Sequence, residues 1–179
     1  MVIEARKADG TYNEARLDHR TRAQVTTDTF HAKTHEGKTW THTFEFAALG
    51  AGASVNIGVL CGAGTRIHCE AVISADNAGA GRVYKKPTYT LGSNVAGVNH
   101  DFDLAAASPA TVVSAPTITL DGNLFESVHF ASGVGPTGGG SSNSRYEFIV
   151  SDTNMALIRF TAKNAGTNGS IMIVLYEEG

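Results

Sequence analysis

The early histidines are the first residues whose spacing suggests chemistry. His31 and His35 are four positions apart, which would place both imidazoles on one face of a helix, as in many zinc-binding pairs. This stretch offers no third ligand, and Glu36 follows His35 directly, so the H-E-x-x-H motif is absent. His42 shares one face of a predicted strand with Trp40, Phe44 and Phe46, which favours a histidine packed in a core or an interface. We therefore predict no metal site.

A second candidate is the carboxylate pair Asp101 and Asp103, which share one face of a predicted strand. Two carboxylates can hydrolyse a glycosidic bond or bind calcium. No glycine-spaced acidic loop surrounds this pair, so a solvated strand edge is the simpler interpretation. A lyase or hydrolase built around the two aspartates stays open as a third functional hypothesis.

Lys85 and Lys86 lie beside Tyr84 and Tyr89, a combination that can contact a phosphate or a sugar. Two lysines alone do not define such a site. Motifs of nucleophilic catalysis and phosphate binding are also missing, because GGSSN at 139–143 is linker-like and GAGT at 62–65 is a tight turn. The sequence therefore predicts no catalytic residue and no cofactor, and a protein that is not an enzyme.

Cys61 and Cys69 are eight positions apart and separated by that turn, so they could face one another across a hairpin. A disulfide is one outcome. Two small buried thiols are the commoner state in a protein made in a cytoplasm, which we expect here because the first residues lack the apolar core of a signal peptide.

The composition restricts the classes of partner. A net charge of −3 and a pI near 6.1 argue against nucleic-acid binding. No apolar stretch approaches the roughly 18 residues of a membrane span. Charged residues make up 17% of the chain, against roughly 25% in typical soluble domains. Few charges and 20 glycines indicate a surface that meets another protein.

From Thr39 onward the chain alternates apolar and polar residues in short segments separated by glycine-rich turns. Such a pattern is typical of antiparallel strands with one buried face. Asp121-Gly122-Asn123 is a hairpin signal between two of these segments. We predict an all-β, jelly-roll-like antiparallel β-sandwich. Its predicted strands are Thr39–Phe46, Ser54–Cys61, Thr65–Ser74, Arg82–Leu91, Val98–Leu104, Thr111–Leu120, Phe125–Phe130, Arg145–Ser151, Ala156–Lys163 and Ser170–Glu177.

Residues 1–38 have a different composition. They hold seven of the 14 lysines and arginines and six of the 17 acids, with few large apolar side chains. Such a segment cannot offset its ordering entropy alone. We predict an extended N-terminal arm over 1–38, with a brief helical turn at Ala15–Ala23 and a short strand at Arg22–Thr27, followed by a β-sandwich domain over 39–179. A terminus without a function is the alternative.

The order of these parts resembles that of small tailed-bacteriophage virion accessory proteins of the capsid-decoration and head-fibre type. The resemblance is one of layout over most of the chain. It is carried by Ala8–Thr11, Ala15–Arg20, Ala23–Thr27, Gly37–Trp40, the strand pair Val55–Ile73 and the terminal Ile173–Glu178.

This resemblance implies a virion structural protein made in the host cytoplasm. We expect a capsid decoration or cement subunit that binds the major capsid protein, or other virion proteins, through its arm and its sandwich edges. It also implies a homo-oligomer, with a trimer favoured. The alternative function is a receptor- or glycan-binding fibre-tip domain that uses the loops 92–97 and 133–144.

Overall fold

The structure is a computed structural model that describes residues 3–6, 12–17, 24–25, 29–104, 106–131, 145–152 and 154–178. These residues form sixteen strands and one short helix. In chain order the elements are β1 (Ile3–Arg6), β2 (Tyr12–Leu17), β3 (Gln24–Val25), α1 (Thr29–His35), β4 (Thr39–Leu49), β5 (Ser54–Cys61), β6 (Arg66–Ala75), β7 (Gly79–Lys85), β8 (Thr88–Thr90), β9 (Ser93–Asn94), β10 (Gly97–Asn99), β11 (Ala110–Ser114), β12 (Thr117–Leu120), β13 (Asn123–Phe130), β14 (Arg145–Ser151), β15 (Met155–Ala162) and β16 (Thr167–Glu177).

The chain divides into two compact units, Met1–Ala32 and Lys33–Gly179. Within the first unit, β1, β2 and β3 form a three-stranded antiparallel sheet. The predicted helical turn at Ala15–Ala23 is therefore wrong at its start, where β2 continues to Leu17, while β3 lies inside the predicted strand Arg22–Thr27.

The second unit consists mainly of two antiparallel sheets. The first has the strand order β10-β4-β16-β6-β14, and the second has the order β13-β7-β15-β5-β11-β9. Eight of these strands pair in a nested series, in which β4 pairs with β16, β5 with β15, β6 with β14, and β7 with β13. Strands far apart in sequence are thus neighbours, and each nested pair is antiparallel.

The two sheets face each other across one apolar core. The phenyl ring of Phe46 in β4 stacks on that of Phe160 in β15, with 5.3 Å between the ring centroids. Phe130 meets Phe160 edge to face at 5.7 Å. Along β6, buried residues alternate with more exposed ones as the period-two pattern predicts. The all-β, sandwich-like character is thereby confirmed.

A two-stranded ribbon of β8 and β12 covers part of the outer face of the second sheet. Tyr89 of β8 lies over Gly58 of β5, where an added Cβ would stand 2.6 Å from the tyrosine ring. The tyrosine hydroxyl donates a 3.4 Å hydrogen bond to the carbonyl of Ala156. Only glycine leaves room for this close approach.

The ribbon explains why two predicted strands are interrupted. Predicted Arg82–Leu91 breaks at Lys86-Pro87, and predicted Thr111–Leu120 breaks at Ala115-Pro116. Lys86 and Ala115 adopt left-handed backbone conformations, with φ of 54° and 49°. Proline then has no N–H to donate to a ladder, so the chain leaves the sheet at both places.

Two predicted pairings are also wrong. The strands flanking Asp121-Gly122-Asn123 do not form a hairpin, because β12 pairs with β8 and β13 pairs with β7. Cys61 and Cys69 do not face one another across a hairpin either, because β5 and β6 belong to different sheets. Both cysteines are buried free thiols.

Candidate functional site

Large apolar side chains are exposed at several places on the surface of the second unit. Among the described residues, eight are about half exposed or more. Seven of them fall in two stretches of sequence, and the eighth lies in β14. They are Leu91, Val98, Phe102 and Leu104, then Leu120, Leu124 and Phe125, and Ile149. Exposed apolar groups that are contiguous mark interaction surfaces, whereas single ones are ordinary.

A groove runs along the edge of the sandwich beside β13 and β14, the strands that carry Leu124, Phe125 and Ile149. It encloses about 420 Å³, within the range of ligand pockets, and lies between β14 on one side and β7, β13 and β15 on the other. Five consecutive residues, Glu147–Ser151, line it. Because successive side chains of a strand point to opposite faces, a continuous lining means that the backbone edge of β14 faces the groove.

The walls of the groove are mainly apolar. Phe125 contributes from β13 with 48% of its surface exposed, and Ile149 contributes from β14 with 46% exposed. Phe148 and Met155 also line the groove and are partly buried. Water in contact with these side chains would be released when an apolar ligand enters.

Charge is distributed unevenly around the rim. Lys85 and Lys86 lie on one side and make no ion pair within the described residues. Glu147 on the opposite side is engaged, because its Oε1 lies 2.5 Å from Nε2 of His68. The His68 ring stacks on Tyr176, with 4.7 Å between centroids. The described rim therefore carries two lysines without an ion pair, and one carboxylate that contacts a histidine.

The segment that carries the two lysines is held by the loop before β13. Gly122 adopts φ of 82°, and a Cβ there would lie 2.5 Å from the carbonyl oxygen of Lys85. The neighbouring Asp121 accepts two hydrogen bonds from Arg159 in β15. Packing of Gly122 and pairing of Asp121 thus fix the lysine rim and the start of β13.

A second exposed feature is a turn with Phe102 at its apex, 89% exposed. The side chain of Asn99 accepts a 2.8 Å hydrogen bond from the amide of Asp101, and the Asp101 carboxylate accepts a 3.1 Å bond from the amide of Asp103. These bonds are typical of Asx turns. The predicted strand Val98–Leu104 ends at Asn99 for this reason, so Asp101 and Asp103 are turn residues rather than a carboxylate pair on a strand.

The other sequence candidates are dispersed. His31 and His35 lie in α1, and the described part of the chain contains no group of three His, Cys, Asp or Glu residues that could hold a metal ion. His42 is buried, with Nδ1 donating a 2.8 Å hydrogen bond to the carbonyl of Val95 and Nε2 lying 3.1 Å from the hydroxyl of Ser108. Burial lowers the pKa of His42. Its packed environment agrees with the sequence pattern.

Of the tyrosines beside the lysine pair, Tyr84 lines the groove, whereas Tyr89 is buried under the ribbon. The loop 92–97 includes β9 and the first residue of β10. The loop 133–144 lies outside the described residues.

The sequence did not single out the groove. One signal was present in two apolar runs that break the predicted alternation. One run is Phe148-Ile149-Val150 within the predicted strand Arg145–Ser151, and the other is Leu124-Phe125 at the start of the predicted strand Phe125–Phe130. A strand with apolar residues on both faces needs a partner on both faces, unless one face is free for a ligand.

Comparison with protein-family models, with curated proteins and with solved structures finds no match to this chain. Within the described residues, no helix has the length and apolar character to cross a bilayer.

Proposed function

We propose that the chain is a bacteriophage virion structural protein, a capsid decoration or cement subunit without catalytic activity. The observation that carries this proposal is the coincidence of exposed apolar side chains with sheet edges that have no partner strand within the described residues. Phe125 lies on β13 and Ile149 on β14, and these are the terminal strands of the two facing sheets. A surface of this kind suits a subunit that buries it upon assembly.

We also propose that the sandwich is a jelly roll. Nested pairing of β4 with β16, β5 with β15, β6 with β14 and β7 with β13 supports this assignment, because it is the pairing obtained by rolling up one long antiparallel hairpin. In this proposal β8 to β12 form an insertion between the two halves of the roll. Jelly rolls are frequent among viral capsid domains, which is compatible with the virion hypothesis.

In this proposal the extended N-terminal arm, residues 1–38, binds the major capsid protein or another virion protein, and the sandwich edges complete the interface. The mixed charge of the arm and its few large apolar residues support a segment that, beyond its own small sheet β1-β2-β3, is stabilised by a neighbour. Self-association into a trimer would let one oligomer make several such contacts.

The experiment is quantitative mass spectrometry of particles from the native source, purified on a density gradient. A high, fixed ratio of this chain to the major shell protein would support decoration. A few copies per particle would favour a fibre or collar component, and absence from all particles would refute the virion hypothesis.

The second candidate function is receptor or glycan binding at a fibre tip. Phe102 favours it, because an aromatic ring at the apex of a turn is a stacking platform for a sugar. A glycan array probed with the folded oligomer, and with Phe102→Ala as control, tests it. An array without hits would argue against this function.

A further inference from the structure

Within the described residues, one edge of β14 has no partner strand. This edge and the adjacent groove, lined on one side by Phe125, Lys85 and Lys86, have the features of a peptide-binding site. We propose that this site binds an extended segment of a partner protein, apolar in its centre and carrying acidic residues. The inference rests on the proposed function only for the identity of the partner, because that function has virion proteins binding at the sandwich edges and β14 is one of these edges. The chemistry of the ligand follows from the groove itself.

The shape of the site points to an extended chain. Within the described residues β14 pairs with β6 on one side and is the last strand of its sheet. Its other edge therefore presents backbone donors and acceptors to the groove, as in domains that bind a peptide by strand addition. The five lining residues of β14 extend over about 17 Å, enough to pair with a short strand.

The apolar walls select the centre of that segment. Side chains of an added strand that point inward would meet Phe125, Phe148 and Met155. A cavity of about 420 Å³ is of the size that accepts a small number of such groups. Removal of the exposed parts of Phe125 and Ile149 from water would supply part of the binding free energy.

The two lysines of the rim favour acidic residues on either side of the apolar centre of the bound segment. Lys85 and Lys86 have no ion-pair partner within the described residues, whereas Glu147 already contacts His68. A basic segment would meet two positive charges without compensation, and an acidic segment would neutralise them. Complementary charge contributes specificity more than affinity at an exposed rim.

A fatty acid would also offer an apolar body and a carboxylate. The open edge of β14 favours the peptide, because a hydrocarbon chain cannot satisfy backbone hydrogen-bonding groups. A second copy of this chain is a further conceivable occupant. Binding of a fatty acid, or of a second copy, in place of the peptide would overturn the proposal.

The test uses the full chain and fluorescently labelled pools of seven-residue peptides with blocked ends. Each pool has three central apolar residues flanked by acidic, neutral or basic residues, and binding is followed by fluorescence anisotropy. We expect the acidic pool to bind about fivefold more tightly than the basic pool. NMR chemical-shift changes of backbone amides that are confined to β14 and its surroundings would locate the bound peptide.

Two variants with matched controls test the assignment of the site. The double variant Lys85→Glu/Lys86→Glu should reverse the preference between acidic and basic pools, whereas Lys163→Glu, outside the groove, should not. Phe125→Ala should weaken binding of every pool, and Phe102→Ala, which removes an exposed phenylalanine elsewhere, should leave it unchanged.

The proposal is overturned by an unchanged preference in the lysine double variant, or by absence of saturable binding. Binding of decanoate without binding of peptides would assign the groove to a lipid. Self-association through β14 that excludes all peptides would assign it to a second copy. Absence of the chain from phage particles would defeat the proposed function and leave the peptide result unaffected.

Discussion

The guanidinium of Arg159 donates two parallel hydrogen bonds to the carboxylate of Asp121, from Nη1 to Oδ2 at 2.8 Å and from Nη2 to Oδ1 at 2.6 Å. Arg159 also donates from Nε to the side chain of Asn56 and lies over the ring of Tyr84 at 5.2 Å. One side chain of β15 thereby connects β5, β7 and the loop before β13. This loop holds the lysine rim of the groove.

We expect Asp121→Asn to lower the free energy of unfolding by about 1 kcal/mol, because it removes the ionic part of a bidentate pair at a partly exposed site. The Arg159 guanidinium holds the pKa of Asp121 below its usual value. The pair therefore stabilises the fold above the unfolded pKa near 3.9, and this contribution is lost as pH falls through the folded pKa.

Urea unfolding at pH 7, 5 and 3 checks this prediction. The difference between the native chain and Asp121→Asn should shrink at pH 3. Asp103→Asn, at an exposed aspartate in the Phe102 turn, is the control and should change little. Equal effects of the two substitutions would contradict the role of the pair.

Tyr146→Phe is expected to stabilise the protein. The hydroxyl of Tyr146 is buried and has no hydrogen-bond partner within the described residues, and burial raises the pKa of this tyrosine to about 12. Removal of an unsatisfied buried hydroxyl should add about 1 kcal/mol to the free energy of unfolding. Thermal unfolding measures the effect, and Tyr89→Phe, which loses the hydrogen bond to Ala156, should not stabilise. A lower melting temperature for Tyr146→Phe would refute the prediction.

Acid should weaken the fold through His42. The imidazole is 3% exposed, and a neutral ring protonated on Nδ1 satisfies both Val95 and Ser108. Because burial lowers the folded pKa, the unfolded chain takes up the proton first, and stability falls as pH drops below about 6.5. The loss continues until the folded pKa is reached.

Chemical denaturation between pH 7.5 and 5.0 measures this dependence. His42→Gln should have a smaller loss over that range than the native chain, although its stability at pH 7.5 is lower. His129→Gln, at an exposed histidine of β13, serves as the control and should retain the native pH dependence. An identical slope for His42→Gln would exclude His42 as the cause.

The thiols of Cys61 and Cys69 should resist alkylation in the folded protein. Both are about 1% exposed or less, and burial raises the pKa of each. The thiolate is the reactive form, so a raised pKa and lack of access act together. Mass spectrometry after iodoacetamide treatment at pH 8 should find two unmodified free thiols in the native state and two alkylated ones in urea. A chain lighter by two hydrogens would instead indicate a disulfide.

Under the proposed decoration function, deletion of residues 1–32 should abolish particle binding and leave the second unit folded. Residues 37 and 38 belong to that unit, since the carbonyl of Gly37 accepts a 2.7 Å hydrogen bond from Asn99 and the carbonyl of Lys38 accepts one from the amide of Glu177. Deletion of residues 1–38 removes both bonds and should cost a further 1 to 3 kcal/mol, roughly.

Circular dichroism melting and particle co-sedimentation compare the two truncations with the full chain. Normal decoration by the chain 33–179 would contradict the arm model. Loss of folding in that chain would show that the two units depend on each other.

Local sequence pattern determined most of the strands of the two large sheets. The predicted bounds Ser54–Cys61 and Arg145–Ser151 agree with β5 and β14, because a run of apolar residues in period-two spacing is typical of a strand. In β5 both faces are covered, one by the core and the other by the ribbon over Gly58. The breaks at Lys86 and Ala115 were not predicted, although each precedes a proline. Lys86 and Ala115 adopt left-handed conformations because the chain leaves the sheet there to form the ribbon of β8 and β12. The packing of this ribbon on the sheet is a tertiary contact.

The pairing partners were decided only by the tertiary structure. Local turn chemistry at Asp121-Gly122-Asn123 favoured a hairpin, yet β13 pairs with β7, some 40 residues earlier in the chain. Pairing depends on burial of both sheet faces in one core, and a single sequence does not specify which of many strands meet.

The groove shows the same division. Its apolar runs and its lysines were visible in the sequence, as Phe148-Ile149-Val150 and Lys85-Lys86, but these segments are more than 60 positions apart. Their proximity follows from the nested order of strands, which brings β14 and β13 to the same edge in opposite sheets. Residue chemistry is local and was determined by the sequence alone, whereas the site arises from long-range packing and was decided by the fold.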